Sequence, residues 1–159
     1  MGATLVEVCW VYFLFGATVY TGTLWCLHFF LYPSWVGLSP DNVGVHFVHP
    51  TQAATRFFTV VVPLMLVAGV VLVVHSWGTG EVWPALLAVL GIVVSTVVGT
   101  GFIIPVNKQI TAGVDAPELT VLLKRWMLLN DIRWVTTSVM WAAAVWYVLA
   151  VGDIHAALS

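Results

Sequence analysis

The sequence predicts an all-α integral membrane protein: one domain over residues 1–159, folded as a four-helix bundle with a long, partly protruding fourth helix. Three observations lead there. Of the 159 residues, 61% are hydrophobic and 8% charged, and the mean hydropathy is +1.03. A soluble domain carries about 25% charged residues. The apolar residues fall into four runs, at about 5–32, 53–77, 82–106 and 116–151, each reaching the roughly 20 residues that cross a bilayer. The breaks between runs are short and rich in turn formers, so no separate soluble domain is expected. The net charge is −2 with no basic run, which excludes nucleic acid as a partner.

The first run has no Lys or Arg before it, so it lacks a signal-peptide n-region and is expected to be retained. It is longer than a membrane requires, which predicts tilt, and Pro33 is its expected stop. Thr21, Trp25 and His28 share one face at i, i+4, i+7. Cys9 and Cys26 are about 25 Å apart along a helix, too far to pair, and are expected to be buried apolar thiols. A loop follows, with Ser-Pro-Asp-Asn turn chemistry at 39–42 and with His46 and His49. On the second run Gln52, Arg56, Thr59 and Pro63 repeat the i, i+4, i+7, i+11 spacing, and Pro63 is expected to kink the helix. The third run carries Thr96, Thr100, Ile103 and Asn107 on one stripe. Asp115 and Glu118 form a capping box with Pro117 in the first turn, which starts the fourth run. Its length, about 50 Å as a helix, exceeds the bilayer core, so its first turns should stand clear of the hydrocarbon.

Four antiparallel spans bring the end of the first, the start of the second, the end of the third and the start of the fourth to one membrane face. All five basic residues, Arg56, Lys108, Lys124, Arg125 and Arg133, fall on that face. The other face carries Glu7, His75, Glu81, Asp153 and His155. The positive-inside rule then places the basic face in the cytoplasm and both termini outside it, in a multi-pass membrane protein. Aromatic belts are expected from Trp10, Trp77, Trp83, Trp146 and Tyr147 at the acidic face. Tyr32, Trp35, Trp126 and Trp134 would form the belt at the basic one.

The polar start of the fourth run, residues 126–137, is where a site is expected. At 100° per residue Trp126, Asn130, Arg133 and Thr137 lie at roughly 0°, 40°, 340° and 20°, one narrow stripe. Lys124 lies opposite, at about 160°. A guanidinium at the mouth of a membrane-grade helix is costly unless it faces protein, ligand or water, and Asp131 is a candidate partner. Four polar stripes at one end of a bundle predict a cavity there. The alternative is that the Asn, Thr and Gln side chains only knit helices together, at about 0.6 kcal/mol per bond.

His28, His46 and His49 can all reach the basic face, and a single Fe, Cu or Zn held by them, with Asp131 or Glu118, is a weak metal candidate; the other expectation is no metal. Haem is not expected, because facing mid-membrane ligands are absent, and neither flavin nor nicotinamide has a phosphate loop to bind it.

The segments GATVYTGT (16–23), TGFIIPVNK (100–108) and WMLLNDIR (126–133) resemble the small four-helix membrane family that includes the fungal anthrone oxygenases. The matching positions are Pro105, Asn107, Trp126, Asn130 and Arg133. The resemblance implies oxygen insertion at an activated benzylic carbon of a hydrophobic polycyclic phenol. The reaction needs a base for an acidic C–H, cations for the enolate, and O₂. His28 or His49 would be the base. Arg56 and Arg133 would hold the anion, Asn107 and Asn130 orient it, and Trp25 and Trp126 stack on it. Thr21, Gln52, Thr100 and Thr137 complete the expected substrate site. The competing reading is a non-catalytic subunit or carrier that binds a lipid, quinone or partner helix, with the protruding part of the fourth helix as the docking surface for a protein partner or a second copy. A transporter is weaker still, since no inverted repeat or broken-helix pair is visible.

Overall fold

The computed structural model describes residues 3–151; Asp153 and His155 lie outside them. Four helical rods, Thr4–Trp35 (α1), Gly44–His75 (α2), Val82–Ala112 (α3) and Ala116–Val151 (α4), are each long and apolar enough to cross a membrane. There is no strand among the described residues. Each rod packs against the next, and α4 closes back on α1, so the four form a ring around a common axis. This is the all-α, multi-pass membrane bundle expected from the four apolar runs.

Three rods extend further at the basic end than their hydropathy suggests. Helix α1 passes through Pro33 to Trp35, α2 begins at Gly44 rather than near 53, and α3 continues to Ala112 rather than 106. The expected loop carrying His46 and His49 is therefore helix. The α1 and α3 extensions join their membrane parts through one widened π turn each, Leu27–Leu31 and Gly99–Ile103, and a third such turn, Gly44–Val48, opens the α2 extension. In each, the backbone N–H of the next residue reaches back five positions, Tyr32 to Leu27, His49 to Gly44 and Ile104 to Gly99. Each π turn ends two residues ahead of a proline: Pro33, Pro50 or Pro105. A proline ring clashes with the carbonyl four residues back and has no N–H to give it. Widening the preceding turn moves that carbonyl aside and keeps the helix continuous. Pro63 sits inside a plain α-helical stretch, so proline alone does not dictate the π turn.

Two apolar cores fill the ring, one toward each end. The acidic-end core packs Phe13, Ala17, Met65, Ile92, Met140 and Tyr147. Helices α3 and α4 pack closely at Gly91, where a Cβ would lie 2.7 Å from Met140 Cβ and 3.0 Å from the Thr136 carbonyl oxygen. The basic-end core packs Trp35, Phe47, Val106, Leu119, Leu123 and Trp126. The first turns of α4 therefore do not stand alone: the extended ends of α1, α2 and α3 cover their inward face. Asp115 caps α4 as expected, its Oδ1 accepting the Glu118 N–H at 2.9 Å.

The aromatic belts divide. Trp77, Trp83 and Trp146 are exposed at the acidic end, but Tyr147 is buried with its hydroxyl 3.0 Å from Ser76 Oγ. At the basic end Trp35 and Trp126 are core residues, because the added helix length covers them. Cys9 is half-buried and Cys26 is exposed, so neither is the fully buried thiol expected.

Candidate functional site

Between the two cores lies a cavity of about 440 Å³ bounded by all four helices. Small-molecule sites span roughly 300–1,000 Å³. Most of its wall is apolar, with Leu24, Leu27, Phe58, Val62 and Ile103 among the lining residues. Two of the three π turns contribute directly, through Leu27, Leu31, Gly99 and Ile103. Such turns reposition side chains that a regular helix would carry elsewhere, and they recur at functional sites.

At one end of this apolar space sits Arg133. Its Nε donates to Ser95 Oγ at 3.3 Å and its Nη1 to Asn130 Oδ1 at 2.8 Å, while Nη2 donates to Tyr20 Oη. The Tyr20 and Ser95 hydroxyls are themselves 3.0 Å apart. Asn130, fully buried, turns its Nδ2 back to the Trp126 carbonyl at 3.0 Å, which leaves its oxygen for the guanidinium. The guanidinium also lies against the backbone at Gly99, where a Cβ would come within 3.8 Å of Cζ. Three neutral oxygens thus fix the cation's position without cancelling its charge. Among the described residues lining the cavity, none is acidic. Asp131, the expected partner of Arg133, instead accepts from His28 Nδ1 at 2.8 Å on another face of α4.

Of three buried side-chain atoms without a partner among the described residues, Trp134 Nε1 belongs to a residue outside the cavity and the other two to residues that line it. Trp126 is 3% exposed and its Nε1–H has no acceptor, and Asn107 Oδ1 is buried without a donor; both residues line the cavity. A buried group without a partner costs about 1–3 kcal/mol, so native proteins rarely leave one unless a ligand or water supplies the partner. The threonines of the wall behave differently. Thr51, Thr55 and Thr59 on α2 and Thr96 and Thr100 on α3 each donate to a carbonyl of their own helix. Their hydroxyl hydrogens are used, and what remains toward the cavity is acceptor lone pairs.

The site residues expected from the sequence separate into three groups. Asn107, Asn130, Arg133, Thr100 and Trp126 come together at the cavity, as their stripes on α3 and α4 predict. Thr21 and Thr137 do not line it: Thr21 Oγ1 donates to the Thr137 carbonyl at 2.9 Å, which ties α1 to α4. Trp25 does not either; its Nε1 donates to Ser138 Oγ at 2.9 Å. His28 stacks on Trp134, centroids 4.3 Å apart and planes 7° apart, outside the cavity. Helix α1 therefore turns its Thr21, Trp25, His28 stripe to α4 and its Tyr20, Leu24, Leu27 face to the cavity. Gln52 and Arg56 line a second, outer cavity of about 520 Å³ with Lys108.

His46 and His49 are exposed on the basic-end extension of α2. Among the described residues no group of three or more His, Cys, Asp or Glu side chains is placed to hold a metal, so His28, His46 and His49 are not assembled as a ligand set. Tyr20 and Ser95 were not expected. Tyr20 lies beside Thr21 and Ser95 beside Thr96, each about 100° round its helix from the stripe that its neighbour marks, so the stripes alone do not single them out.

No family model, curated protein or solved structure matches this chain. The cavity's own chemistry therefore carries the functional reading. It offers an apolar body site, one fixed cation with unspent N–H groups, an indole N–H, and an amide oxygen facing it.

Proposed function

We propose that the protein binds an amphipathic small molecule within the membrane, seating an apolar, flat or chain-like body against Leu24, Leu27, Phe58 and Ile103 and an anionic or ionisable oxygen on Arg133. The observation that carries this reading is the guanidinium held only by Tyr20, Ser95 and Asn130, with no acidic residue among the described lining. A cation at membrane depth keeps its charge at considerable cost and marks a site by default. Neutral partners orient it and leave its field for a ligand, whereas a carboxylate would have consumed it.

A second reading has one specific feature in its favour. A fixed cation beside an unmatched indole N–H is suited to holding an enolate, which is what the resemblance to anthrone oxygenases requires. In that reaction an activated C–H loses its proton, and the enolate carbon adds O₂. The resulting hydroperoxide then loses water to leave a carbonyl, so two hydrogens of the substrate leave as water. Neither His28 nor His49 lines the cavity, so the proton acceptor in this reading falls to Tyr20 Oη, the cavity hydroxyl that Arg133 contacts. The non-catalytic carrier requires only the first reading, and it is the one we adopt.

We place the basic end at the cytoplasmic face with both termini outside it, on the strength of five Lys and Arg residues at one end of the bundle. Native mass spectrometry of protein released directly from membranes tests the binding reading. Wild type should carry a bound organic molecule, and Arg133→Gln should be empty. An equally loaded Arg133→Gln would overturn it. Conversion of a bound anthrone-type phenol with uptake of O₂, abolished in Tyr20→Phe, would promote the catalytic reading over the carrier.

A further inference from the structure

The outer cavity between α2 and α3 shares three wall residues with the Arg133 cavity: Thr55, Ile104 and Asn107. Two of its lining residues, Arg56 and Lys108, are exposed cations on opposite sides of the opening, and neither forms an ion pair among the described residues. None of the described residues lining it is acidic. Asn107 Oδ1, the buried acceptor without a donor, belongs to the shared wall. A dry septum would leave that oxygen unmatched at a cost, whereas a passage that admits water and polar groups supplies its partner.

We infer that the outer cavity is the entry vestibule of the Arg133 site, and that it admits amphiphiles already ionised, as carboxylates, phenolates or phosphates, from the water–headgroup layer of the basic face. The inference rests on the reading of the inner cavity as a ligand site. Arg56 and Lys108 attract the anionic head, Thr55, Ile104 and Asn107 form the doorway, and Arg133 is the terminus. The cations thus run in series along one path, with the exposed pair outermost. Charges lining a low-dielectric cleft focus the field and raise association rates by about 10- to 1,000-fold. A neutral hydrophobe gains nothing from this arrangement. The substrate class is thereby narrowed from hydrophobic molecules in general to anionic amphiphiles.

The test uses full-length protein in nanodiscs of zwitterionic lipid, with pyrenebutyrate as the anionic probe and pyrenebutanol as its neutral counterpart. Stopped-flow fluorescence gives both rate constants, and equilibrium titration gives Kd. In the Arg56→Gln/Lys108→Gln double variant we expect association and dissociation of pyrenebutyrate to slow together by about tenfold, with Kd changed by less than about twofold. High salt should slow the wild type toward the variant, because exposed charges are screened within about a Debye length. Rates for pyrenebutanol should not change.

Equal pyrenebutyrate rates in wild type and double variant overturn the entry route while leaving the inner site standing. Absence of pyrenebutyrate binding to wild type, or full binding to Arg133→Gln, overturns the inner site and the route with it. Nanodiscs containing phosphatidylglycerol separate two sources of the anion. If lipid headgroups occupy the vestibule, they slow the probe in wild type but not in the double variant. If the vestibule serves free amphiphiles, both proteins respond alike.

Discussion

Arg133, Asn130 and Trp126 illustrate how one helix face prepares a polar site inside an apolar body. Asn130 spends its N–H on the backbone carbonyl of Trp126 and its oxygen on Arg133, so the amide is fixed from one side and fixes the guanidinium on the other, while the Trp126 indole N–H stays unmatched. That much is legible from the sequence, because i, i+4, i+7 spacing puts the three on one face whatever surrounds them. What completes the site is not legible in this way. Tyr20 and Ser95 belong to other helices, and only the closed ring brings their hydroxyls to the guanidinium. Conversely, Thr21 and Thr137 each sit on the stripe their spacing predicts, yet Thr21 donates to the Thr137 carbonyl and the Thr137 hydroxyl donates within its own helix, since a threonine at a close helix crossing serves packing as readily as ligand binding. Two variants separate these roles. Trp126→Phe keeps the ring in the basic-end core but removes the unmatched N–H. We expect it to weaken ligand binding by about 5- to 10-fold, one hydrogen bond's worth, and to leave apo stability equal or higher. Thr21→Val removes the donor of the α1–α4 bond, and should lower thermal stability by about 1 kcal/mol and leave ligand affinity unchanged. Titration and thermal unfolding on the same samples read both.

At the scale of elements, the π turns of α1 and α3 help decide which face of those helices meets the cavity. The hydropathy pattern shows where apolar runs fade, and it therefore ends α1 near Pro33 and starts α2 after the histidines. It does not show that a helix continues through a proline by widening the turn before it. Pro33, Pro50 and Pro105, each two residues past a π turn, are the readable sign of this in hindsight. Pro105→Ala tests its consequence. With an N–H restored, α3 is free to tighten into regular α-helix at Gly99–Ile103, which rotates Asn107 by about 100°. We expect ligand binding to fall at least tenfold while unfolding temperature holds or rises, because helix propensity improves. The α3–α4 contact gives the opposite pattern. Gly91→Ala forces a methyl against Met140 Cβ and the Thr136 carbonyl, and should cost about 1–3 kcal/mol. Gly101→Ala, with no atom within 4 Å of the added Cβ, should be silent.

The whole molecule is two apolar cores with a chamber between them, and all five of its basic residues lie toward one end. The division explains why the fold is legible in composition while a metal-ligand set is not. Burial and length are summed over many residues, but a ligand set depends on three side chains meeting. His46 and His49 instead point outward from the α2 extension. Replacing both by Ala should leave bound-ligand content unchanged in native mass spectrometry. Orientation in the membrane is tested by a C-terminal reporter active only in the cytoplasm, which should stay silent.

The claim on which everything else depends is that Arg133 is a ligand's cation and not merely a topology signal. Lys124 supplies the internal comparison: it lies on the same helix at the same membrane face, exposed and outside the cavity. The decisive measurement is the thermal shift produced by pyrenebutyrate in wild type, Arg133→Gln, Arg133→Lys and Lys124→Gln. The account predicts a full shift in wild type and Lys124→Gln and none in Arg133→Gln. In Arg133→Lys the shift should be sharply reduced, since an ammonium cannot hold Tyr20, Ser95 and Asn130 and still face a ligand. A shift in Arg133→Gln equal to that of wild type would contradict it.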